Sequence, residues 1–320
     1  MRPTLITGAT GFAGSHLVER LAGHGHILAW HRPATSPPSA PGGVRWEGLD
    51  VRDGPAVAAA IAAARPSRIY HVAGAPRVDT SWTDMVPHLE TNVVGTHHLL
   101  EAVARSAPDC RIVVVSSAMV YAVGPDPVDE STALRPSSPY GLSKLAQDDL
   151  SRRAVTERGL DVIVARPFNH IGPRQDPSFS VSSFARQVAR IEAGLADAVI
   201  GVGNLETRRD FTDVRDVAAA YEGLMERGRT GRAYNICSGQ GRRIGDVLEA
   251  LLALSRSPVK IVVDPALLRP SDMPVFVGDA TRIREEVGWT PQYSLEQTLA
   301  DTLDWWRAQT ETAALSPPRG

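Results

Sequence analysis

Apolar and polar positions follow two alternating patterns through the first half of the chain. Short apolar runs, typical of buried strands, give way to stretches in which apolar residues recur every three or four positions, as on one face of a helix. The predicted strands are Thr4–Thr7, His26–Trp30, Val44–Leu49, Ile69–Val72, Arg111–Ser116 and Asp161–Ala165. The predicted helices are Phe12–Gly23, Pro55–Ala64, Pro87–Ala107 and Pro139–Glu157. This alternation predicts an α/β fold whose core is a Rossmann-type, doubly wound parallel sheet.

The pattern becomes mixed after about residue 166 and indicates a second, smaller unit. Its predicted helices are Phe179–Gly194, Val214–Gly228, Ile244–Ser255, Thr281–Val287 and Leu295–Thr310, and its predicted strands are Ala233–Cys237 and Val259–Val263. We expect residues 1–167 to form the dinucleotide-binding domain, and residues 168–320 to form mainly a mixed α/β substrate domain at the carboxyl edge of the sheet, where doubly wound folds bind ligands. The segment 212–237 is expected to pack on the first domain.

A glycine-rich turn joins the first predicted strand to the first predicted helix. Gly8 allows the tight turn, Gly11 lets a pyrophosphate approach the backbone, and Gly14 lets the helix and the strand pack closely. The N-terminus of the helix offers free N–H groups and the positive end of a dipole to a phosphate. Because a strand precedes the motif and a helix follows it, we interpret it as a dinucleotide site and not as a plain structural turn. Thr10 and Phe12, in the same segment, are assigned to this site.

Three residues in the middle of the chain have the spacing of a hydride-transfer site. Ser117 follows the fifth predicted strand, and Tyr140 and Lys144 stand four positions apart on a predicted helix, so they share one face. Tyrosine, with an ordinary pKa near ~10, is a poor base at neutral pH. A neighbouring ammonium and the cationic ring of an oxidised nicotinamide are expected to lower that pKa. Tyr140 then exchanges a proton with a carbinol or carbonyl oxygen that Ser117 also bonds. Lys144 is also expected to hold the cofactor ribose.

Composition restricts the other classes of function. The chain has 320 residues, 43% of them hydrophobic, and a formal net charge of −2, so no global basic field recruits a nucleic acid or a membrane surface. No apolar run reaches the ~18 residues of a membrane span, and no signal peptide is expected. The two cysteines, Cys110 and Cys237, have no metal-type spacing and cannot form a disulfide framework. We expect no metal site and a location in the reducing cytoplasm.

These features together resemble the extended short-chain dehydrogenase/reductase family, whose members act on nucleotide sugars. The resemblance covers nearly the whole chain and includes the segments 71–74, 91–96 and 138–141. It implies a homodimer in which the predicted helices Pro87–Ala107 and Pro139–Glu157 of both copies form a four-helix interface. It also assigns five further residues to the cofactor site: Asp50 and Val51 on the adenine side, Ala73 and Gly74 on the nicotinamide side, and Asn92.

The end of the second predicted strand indicates which dinucleotide is bound. NAD-selective sites usually carry an acid there, which bonds the ribose 2′-hydroxyl. No Asp or Glu occurs from Leu28 to Gly43, and Arg32 follows the strand. Because arginine can pair with a phosphate through two parallel hydrogen bonds, we expect Arg32 to bind a 2′-phosphate and the cofactor to be NADP(H).

Segments in the second half closely resemble the GDP-4-keto-6-deoxy-D-mannose reductases, and less closely the GDP-mannose 4,6-dehydratases. The matching segments are 168–175, 183–187, 203–216, 234–239 and 268–272. The diphosphate of a GDP-sugar needs local positive charge even in a nearly neutral protein. The resemblance places Arg209 and Arg269 at that diphosphate, with Asn169 bonding a phosphate or the sugar.

Met119, at the substrate and two residues after Ser117, separates the branches of the family. Dehydratases that resemble this chain place a Glu there to move protons at C5 and C6, and the epimerase-reductases that make GDP-fucose place a Cys. A thioether has no proton to transfer. The resemblance therefore implies NADPH-dependent reduction of the C4 ketone of GDP-4-keto-6-deoxy-D-mannose to GDP-D-rhamnose. The alternatives are a nucleotide-sugar 4-epimerase, a GDP-mannose 4,6-dehydratase, and an NADP-binding scaffold or sensor without catalysis.

Overall fold

The first half of the chain folds into alternating strands and helices. The computed structural model describes residues 2–37, 42–124, 126–268 and 273–315. The strands are β1 (Thr4–Thr7), β2 (Ile27–His31), β3 (Val44–Gly48), β4 (Arg68–His71), β5 (Arg111–Val115) and β6 (Asp161–Pro167). The helices are α1 (Phe12–Leu21), α2 (Gly54–Ala64), α3 (Val86–Leu89), α4 (Gly95–Ser106) and α5 (Pro139–Arg158). Each element predicted in this half is present, with ends that differ by one or two residues.

The predicted helix 87–107 is interrupted near its start. A π-helical turn, Glu90–Val94, lies between α3 and α4. Such turns widen a helix locally and often occur at functional sites. Asn92 lies in this turn and is fully buried, so the irregularity falls on a residue assigned to the cofactor site.

A seven-stranded parallel sheet forms the centre of the fold. Its strand order is β10-β6-β5-β4-β1-β2-β3, where β10 is Ala233–Ile236, and every pairing is parallel. The order is that of a Rossmann fold, and it reverses between β1 and β4, where such folds bind their ligands. Separate apolar cores cover the two faces, with α2, α4 and α5 contributing to one and α1 and α7 (Val214–Arg227) to the other. Two elements from beyond residue 168 therefore belong to the sheet and its helical layer.

The remaining elements of the second half form a smaller layer, mostly around a third apolar core, whereas the buried Phe276, Ile283 and Val287 belong to the core of α1 and α7. They are β7 (Asn169–Ile171), α6 (Ser180–Glu192), β8 (Val199–Val202), β9 (Arg208–Asp213), β11 (Gly241–Arg243), α8 (Ile244–Leu252), β12 (Lys260–Val263), β13 (Val275–Phe276), α9 (Thr281–Val287) and α10 (Leu295–Leu315). In this half β9 pairs with β7, β11 and β13, and β8 pairs with β12. Within the residues described, no helix combines the length and the apolar character that crossing a bilayer requires.

Five strands of this half were not predicted: β7, β8, β9, β11 and β13. The longest of them, β9, reads RRDFTD and shows no apolar alternation. Short polar strands of this kind have weak intrinsic preference, so pairing with neighbouring strands decides their conformation.

Candidate active site

The glycine-rich turn between β1 and α1 has a geometry that only glycine allows. Gly8 has a φ of +67°, and a Cβ there would stand 2.7 Å from the backbone N and Cα of Ala73. A Cβ on Gly14 would overlap the carbonyl oxygen of Gly8, which already accepts a hydrogen bond of 2.9 Å from the Gly11 amide. Helix α1 begins at Phe12, and its N-cap residue, Gly11, provides no side-chain hydrogen bond to the first turn. Backbone amides at the start of this helix can therefore donate hydrogen bonds to a pyrophosphate, and the site fits a dinucleotide.

The switch point of the sheet gathers the residues assigned to the nicotinamide side. A Cβ on Gly74 would stand 3.2 Å from both the Asn92 Oδ1 and the Lys144 Nζ. Asn92 Oδ1 accepts a hydrogen bond from the Ala75 amide at 2.9 Å. Ala73 follows β4 and touches the glycine turn at Gly8. Residues distant in sequence thus meet at the ends of β1 and β4, as the doubly wound topology requires.

Tyr140 and Ser117 meet because the first turn of α5 packs on the turn after β5. Ser117 caps the 3₁₀ turn Ala118–Val120, and its Oγ accepts a hydrogen bond from the Met119 amide at 3.1 Å. A Cβ on Gly141 would overlap the Met119 carbonyl oxygen, so glycine is required for this approach. A hydrogen bond then links the buried Tyr140 side chain to Ser117. Lys144 lies one helical turn further along α5.

Burial shifts the pKa of Tyr140 in the direction opposite to the shift that the sequence predicted from a neighbouring ammonium and an oxidised nicotinamide. Burial raises the pKa of Tyr140 to about 12, and the hydrogen bond with Ser117 opposes this only in part. The physical reason is that the free energy lost when a phenolate is removed from water exceeds the free energy gained from the local hydrogen bond. Burial also lowers the pKa of Lys144 to about 7, against the opposing charge of Asp148. At neutral pH the phenol therefore keeps its proton, as a proton donor must.

The residues assigned to the adenine side of the cofactor site carry paired charges. Asp50 follows β3 and accepts hydrogen bonds from Arg52, the shortest of them 2.7 Å, and Arg52 also pairs with Glu90 at 3.2 Å. Val51 is buried and touches the start of α4. Arg32 lies exposed at the end of β2, near enough to Asp50 to help lower the pKa of that carboxyl, although Arg52 is the main cause. Arg32 and Asp50 thus lie on the same side of the crevice.

Two of the residues assigned to the substrate, Asn169 and Arg209, lie in the sheet of the second half. Asn169 in β7 pairs with Phe211 in β9, so Arg209 lies two positions along the neighbouring strand. The Arg209 guanidinium donates to the backbone oxygen of Met273 at 2.7 Å. Arg269 lies outside the described residues. Met119 is half-buried, with its side chain packed against the apolar core under the sheet.

An aromatic stack joins the cofactor turn to the second half. The rings of Phe12 and His170 are nearly parallel, with an interplanar angle of 6° and centroids 5.6 Å apart. His170 directly follows Asn169. Thr10 lies half-buried in the turn before Phe12. The two parts of the proposed site are therefore in direct contact.

Comparison with known proteins decides the family. The sequence profile of the GDP-mannose 4,6 dehydratase family matches residues 5–302. The chain belongs to this family. It is 34% identical to GDP-6-deoxy-D-mannose reductase of Pseudomonas aeruginosa over 95% of this chain and 97% of the relative. It is 29% identical to dTDP-glucose 4,6-dehydratase 1 of Escherichia coli over 96% and 93% of the two chains. The structure of RMD from Pseudomonas aeruginosa complexed with NADPH superposes with a TM-score of 0.85 at 31% identity, covering 97% of this chain and 100% of the other.

As a member of the extended short-chain dehydrogenase/reductase family, the protein is an NAD(P)-dependent oxidoreductase. Its relatives are nucleotide-sugar reductases, dehydratases and epimerases. The predicted family, Rossmann-type fold and enzyme class are confirmed. The roles of individual site residues stay predictions.

Sequence reasoning missed the residues that hold the lysine of this dehydrogenase/reductase. Lys144 Nζ donates to the Val115 carbonyl oxygen at 2.9 Å and to Gln147 Oε1 at 2.8 Å. Gln147 stands three positions after Lys144 on α5, so helical spacing offered a signal for it. The second hydrogen bond of Gln147, to Thr96 on α4 at 2.8 Å, joins positions 51 residues apart, so no local pattern in the sequence indicates it.

Proposed function

We propose that the protein reduces the C4 ketone of GDP-4-keto-6-deoxy-D-mannose with NADPH and forms GDP-D-rhamnose. The observation that carries this proposal is the methionine at position 119, two residues after Ser117 and, through its carbonyl oxygen, close to Gly141 beside Tyr140. The Met119 side chain carries no acid or base, which suits hydride transfer to an existing ketone and not the elimination of water. The 34% identity to a GDP-6-deoxy-D-mannose reductase supports the same reaction.

NADPH would be held mainly by residues 1–167. The turn from Gly8 to Gly14 binds the pyrophosphate, with Thr10, Gly11 and Phe12 around it. Arg32 binds the 2′-phosphate, Lys144 the nicotinamide ribose, and the remaining contacts come from Asp50, Val51, Ala73, Gly74 and Asn92. When bound, the cofactor supplies a hydride to the C4 carbon. The structure of RMD complexed with NADPH supports this choice of cofactor.

Tyr140 would supply the proton in this reaction. Its phenol stays protonated at neutral pH, because burial raises its pKa to about 12. As negative charge develops on the C4 oxygen, Tyr140 donates its proton to that oxygen, and Ser117 hydrogen-bonds the same atom. The Lys144 ammonium stabilises the phenolate that remains.

The GDP-sugar would bind mainly to residues 168–320. Arg209 and Arg269 bind the diphosphate, and Asn169 bonds a phosphate or the sugar. The pairing of β7 with β9, which sets Asn169 beside the strand of Arg209, supports a shared site for two of these residues. Met119 contacts the sugar ring without taking part in proton transfer.

The protein is proposed to be a cytoplasmic homodimer. Large apolar side chains are exposed on the helices that would pair: Val86 is 60% exposed, Val94 42% and Leu142 49%. Burying them against a second copy would remove this apolar surface from water. Both described cysteines are free, which suits a reducing compartment. Light scattering should give twice the 34.3 kDa mass of one chain.

The decisive experiment supplies purified protein with GDP-4-keto-6-deoxy-D-mannose and NADPH. We expect stoichiometric oxidation of NADPH and, by NMR, a single product with an equatorial C4 hydroxyl, as in the manno configuration of GDP-D-rhamnose. Turnover that needs no added NADPH and uses a retained oxidised cofactor would instead indicate a 4-epimerase. NADPH binding without turnover of any nucleotide sugar would indicate a scaffold or sensor.

A further inference from the structure

Lys144 is held by a buried polar network that the reaction itself does not use. Two oxygens of the described residues accept its N–H groups, the Val115 carbonyl and Gln147 Oε1. An ammonium has three donors, so one remains for the cofactor side. Gln147 is fully buried, as is Thr96, to which it also bonds. The amide therefore bridges the lysine on α5 to a hydroxyl on α4.

Hydrogen-bond counting fixes the direction of this bridge. Thr96 Oγ1 donates its one proton to the Asn92 carbonyl oxygen at 2.7 Å, so it can only accept from Gln147 Nε2 and His71 Nε2. The amide nitrogen of Gln147 thus faces Thr96, and the amide oxygen faces Lys144. An ammonium has donors only, so the contact with Lys144 requires the same orientation independently.

The network continues to the strand that precedes the glycine turn. Because His71 Nε2 donates to Thr96 at 2.9 Å, its Nδ1 must accept, and Thr7 Oγ1 donates to it at 2.8 Å. Thr7 Oγ1 in turn accepts from the Ala73 amide at 3.1 Å. Burial lowers the pKa of His71 to about 3, which agrees with a neutral ring carrying one proton. Each hydrogen bond in this path allows only one choice of donor and acceptor, so the path has one arrangement.

We propose that Gln147 is a positioning residue for Lys144: its amide oxygen, locked by Thr96 and His71, aims the ammonium at the cofactor ribose and stabilises its charged form. The inference rests on the proposed role of Lys144 at the cofactor. A fully satisfied buried network defines a unique side-chain geometry, whereas a partly satisfied one does not. The network would thus fix the position of the lysine on α5 relative to β1 and β4.

The charges around Lys144 determine in which direction substitutions of Gln147 should shift the pKa of the lysine. Asp148 lies one turn further along α5 and is paired with the buried Arg166 of β6. His71 from β4 is neutral, and Tyr140 on α5 is protonated at neutral pH. The neutral amide of Gln147 therefore makes the direct side-chain contact with the ammonium. Replacing it by an apolar side chain removes an acceptor from the charged form, and replacing it by a carboxylate adds an opposite charge.

The test measures NADPH affinity against pH in Gln147→Met and Gln147→Glu, through the fluorescence change of NADPH on binding. The loss of affinity that accompanies deprotonation of Lys144 should move about one pH unit lower in Gln147→Met and at least one unit higher in Gln147→Glu. Lys144→Met should abolish this pH step and so identify the group. NADPH binding requires no turnover, so a wrong substrate assignment would leave this experiment unaffected.

Ser151→Ala is the matched control. Ser151 is fully buried on α5 and donates to the Gln147 backbone oxygen at 2.8 Å, so the substitution removes a hydrogen bond from the same turn without changing the amide. Its pH profile should coincide with that of the parent, even if thermal unfolding occurs earlier. The proposal would be overturned if the pH profiles of the two Gln147 variants coincided or moved in the same direction. It would also be overturned if the pH step persisted in Lys144→Met.

Discussion

Gly141 packs against the carbonyl oxygen of Met119 so closely that a Cβ on Gly141 would overlap it. This contact presses the first turn of α5 onto the turn that carries Ser117. It therefore decides how near the phenol of Tyr140 comes to the serine hydroxyl, although neither Gly141 nor Met119 supplies a group for proton transfer.

Gly141→Ala should damage both stability and catalysis. The added methyl group must displace either the Met119 carbonyl or the start of α5, at a cost of about 1–3 kcal/mol in the free energy of unfolding. The same displacement moves Tyr140 from Ser117 and should lower kcat about 10–100-fold. Urea unfolding and steady-state kinetics measure the two effects. Gly124→Ala is the control, since nothing lies within 4 Å of a Cβ there; equal behaviour of the two variants would refute the argument.

Tyr140→Phe should bind NADPH almost normally and lose its reductase activity. The ring keeps its packing, but the transferable proton is gone, and groups of this kind contribute about 10²–10⁴-fold. Fluorescence titration gives the affinity, and single-turnover oxidation of NADPH gives the chemical step. Turnover within threefold of the parent would remove Tyr140 from its proposed role.

Lys144 should make the stability of the cofactor-free protein depend on pH. Its folded-state pKa is lowered to about 7 by burial, whereas the unfolded chain keeps the proton up to a pH of about 10.4. Between these values the unfolded state binds more protons, so the free energy of unfolding rises with pH. Urea unfolding measures this effect. Relative to Lys144→Met, the free energy of unfolding of the parent should rise by about 2 kcal/mol between a pH of about 7.5 and about 9. A difference that stays constant with pH would contradict the lowered pKa.

Arg32→Ala should weaken NADPH binding much more than NADH binding. Only NADPH carries the 2′-phosphate, and a charge-assisted contact is worth about 1.5–3 kcal/mol, or about tenfold or more in affinity. Arg45→Ala provides the control, because Arg45 is an exposed arginine on the neighbouring strand β3 that pairs with Glu47. Equal losses for both cofactors would show that Arg32 does not bind the 2′-phosphate.

The protein should not dehydrate GDP-mannose, even with oxidised NADP supplied. Dehydration needs a proton removed from C5 and another delivered to the departing C6 hydroxyl, and the Met119 thioether can do neither. Its neighbours Ala118 and Val120 carry no acid or base. Mass spectrometry detects the 4-keto-6-deoxy product as the loss of one water. Its formation at a catalytic rate would move this chain from the reductases to the dehydratases.

Local sequence was sufficient for much of the fold. The elements of the first half were predicted because apolar periodicity and glycine turns act within a few residues. The turn from Gly8 to Gly14 was recognisable for the same reason. Strand β9 was not predicted, because its residues are mostly charged or polar and show no alternation of apolar and polar positions. Only its pairing with β7, β11 and β13 makes it a strand.

The sequence by itself determined the family, through motifs spread along the chain. It also determined the order of elements in the sheet-forming half and the shared helical face of Tyr140 and Lys144, because these follow from patterns among near neighbours. Tertiary structure alone decided the environment of those side chains. The pKa of Tyr140 is raised because several elements together exclude water from it. The amide oxygen of Gln147 faces Lys144 because its amide nitrogen donates a hydrogen bond to Thr96, 51 residues away. Desolvation and long-range hydrogen bonds depend on packing between distant segments, and no local pattern of residues encodes them.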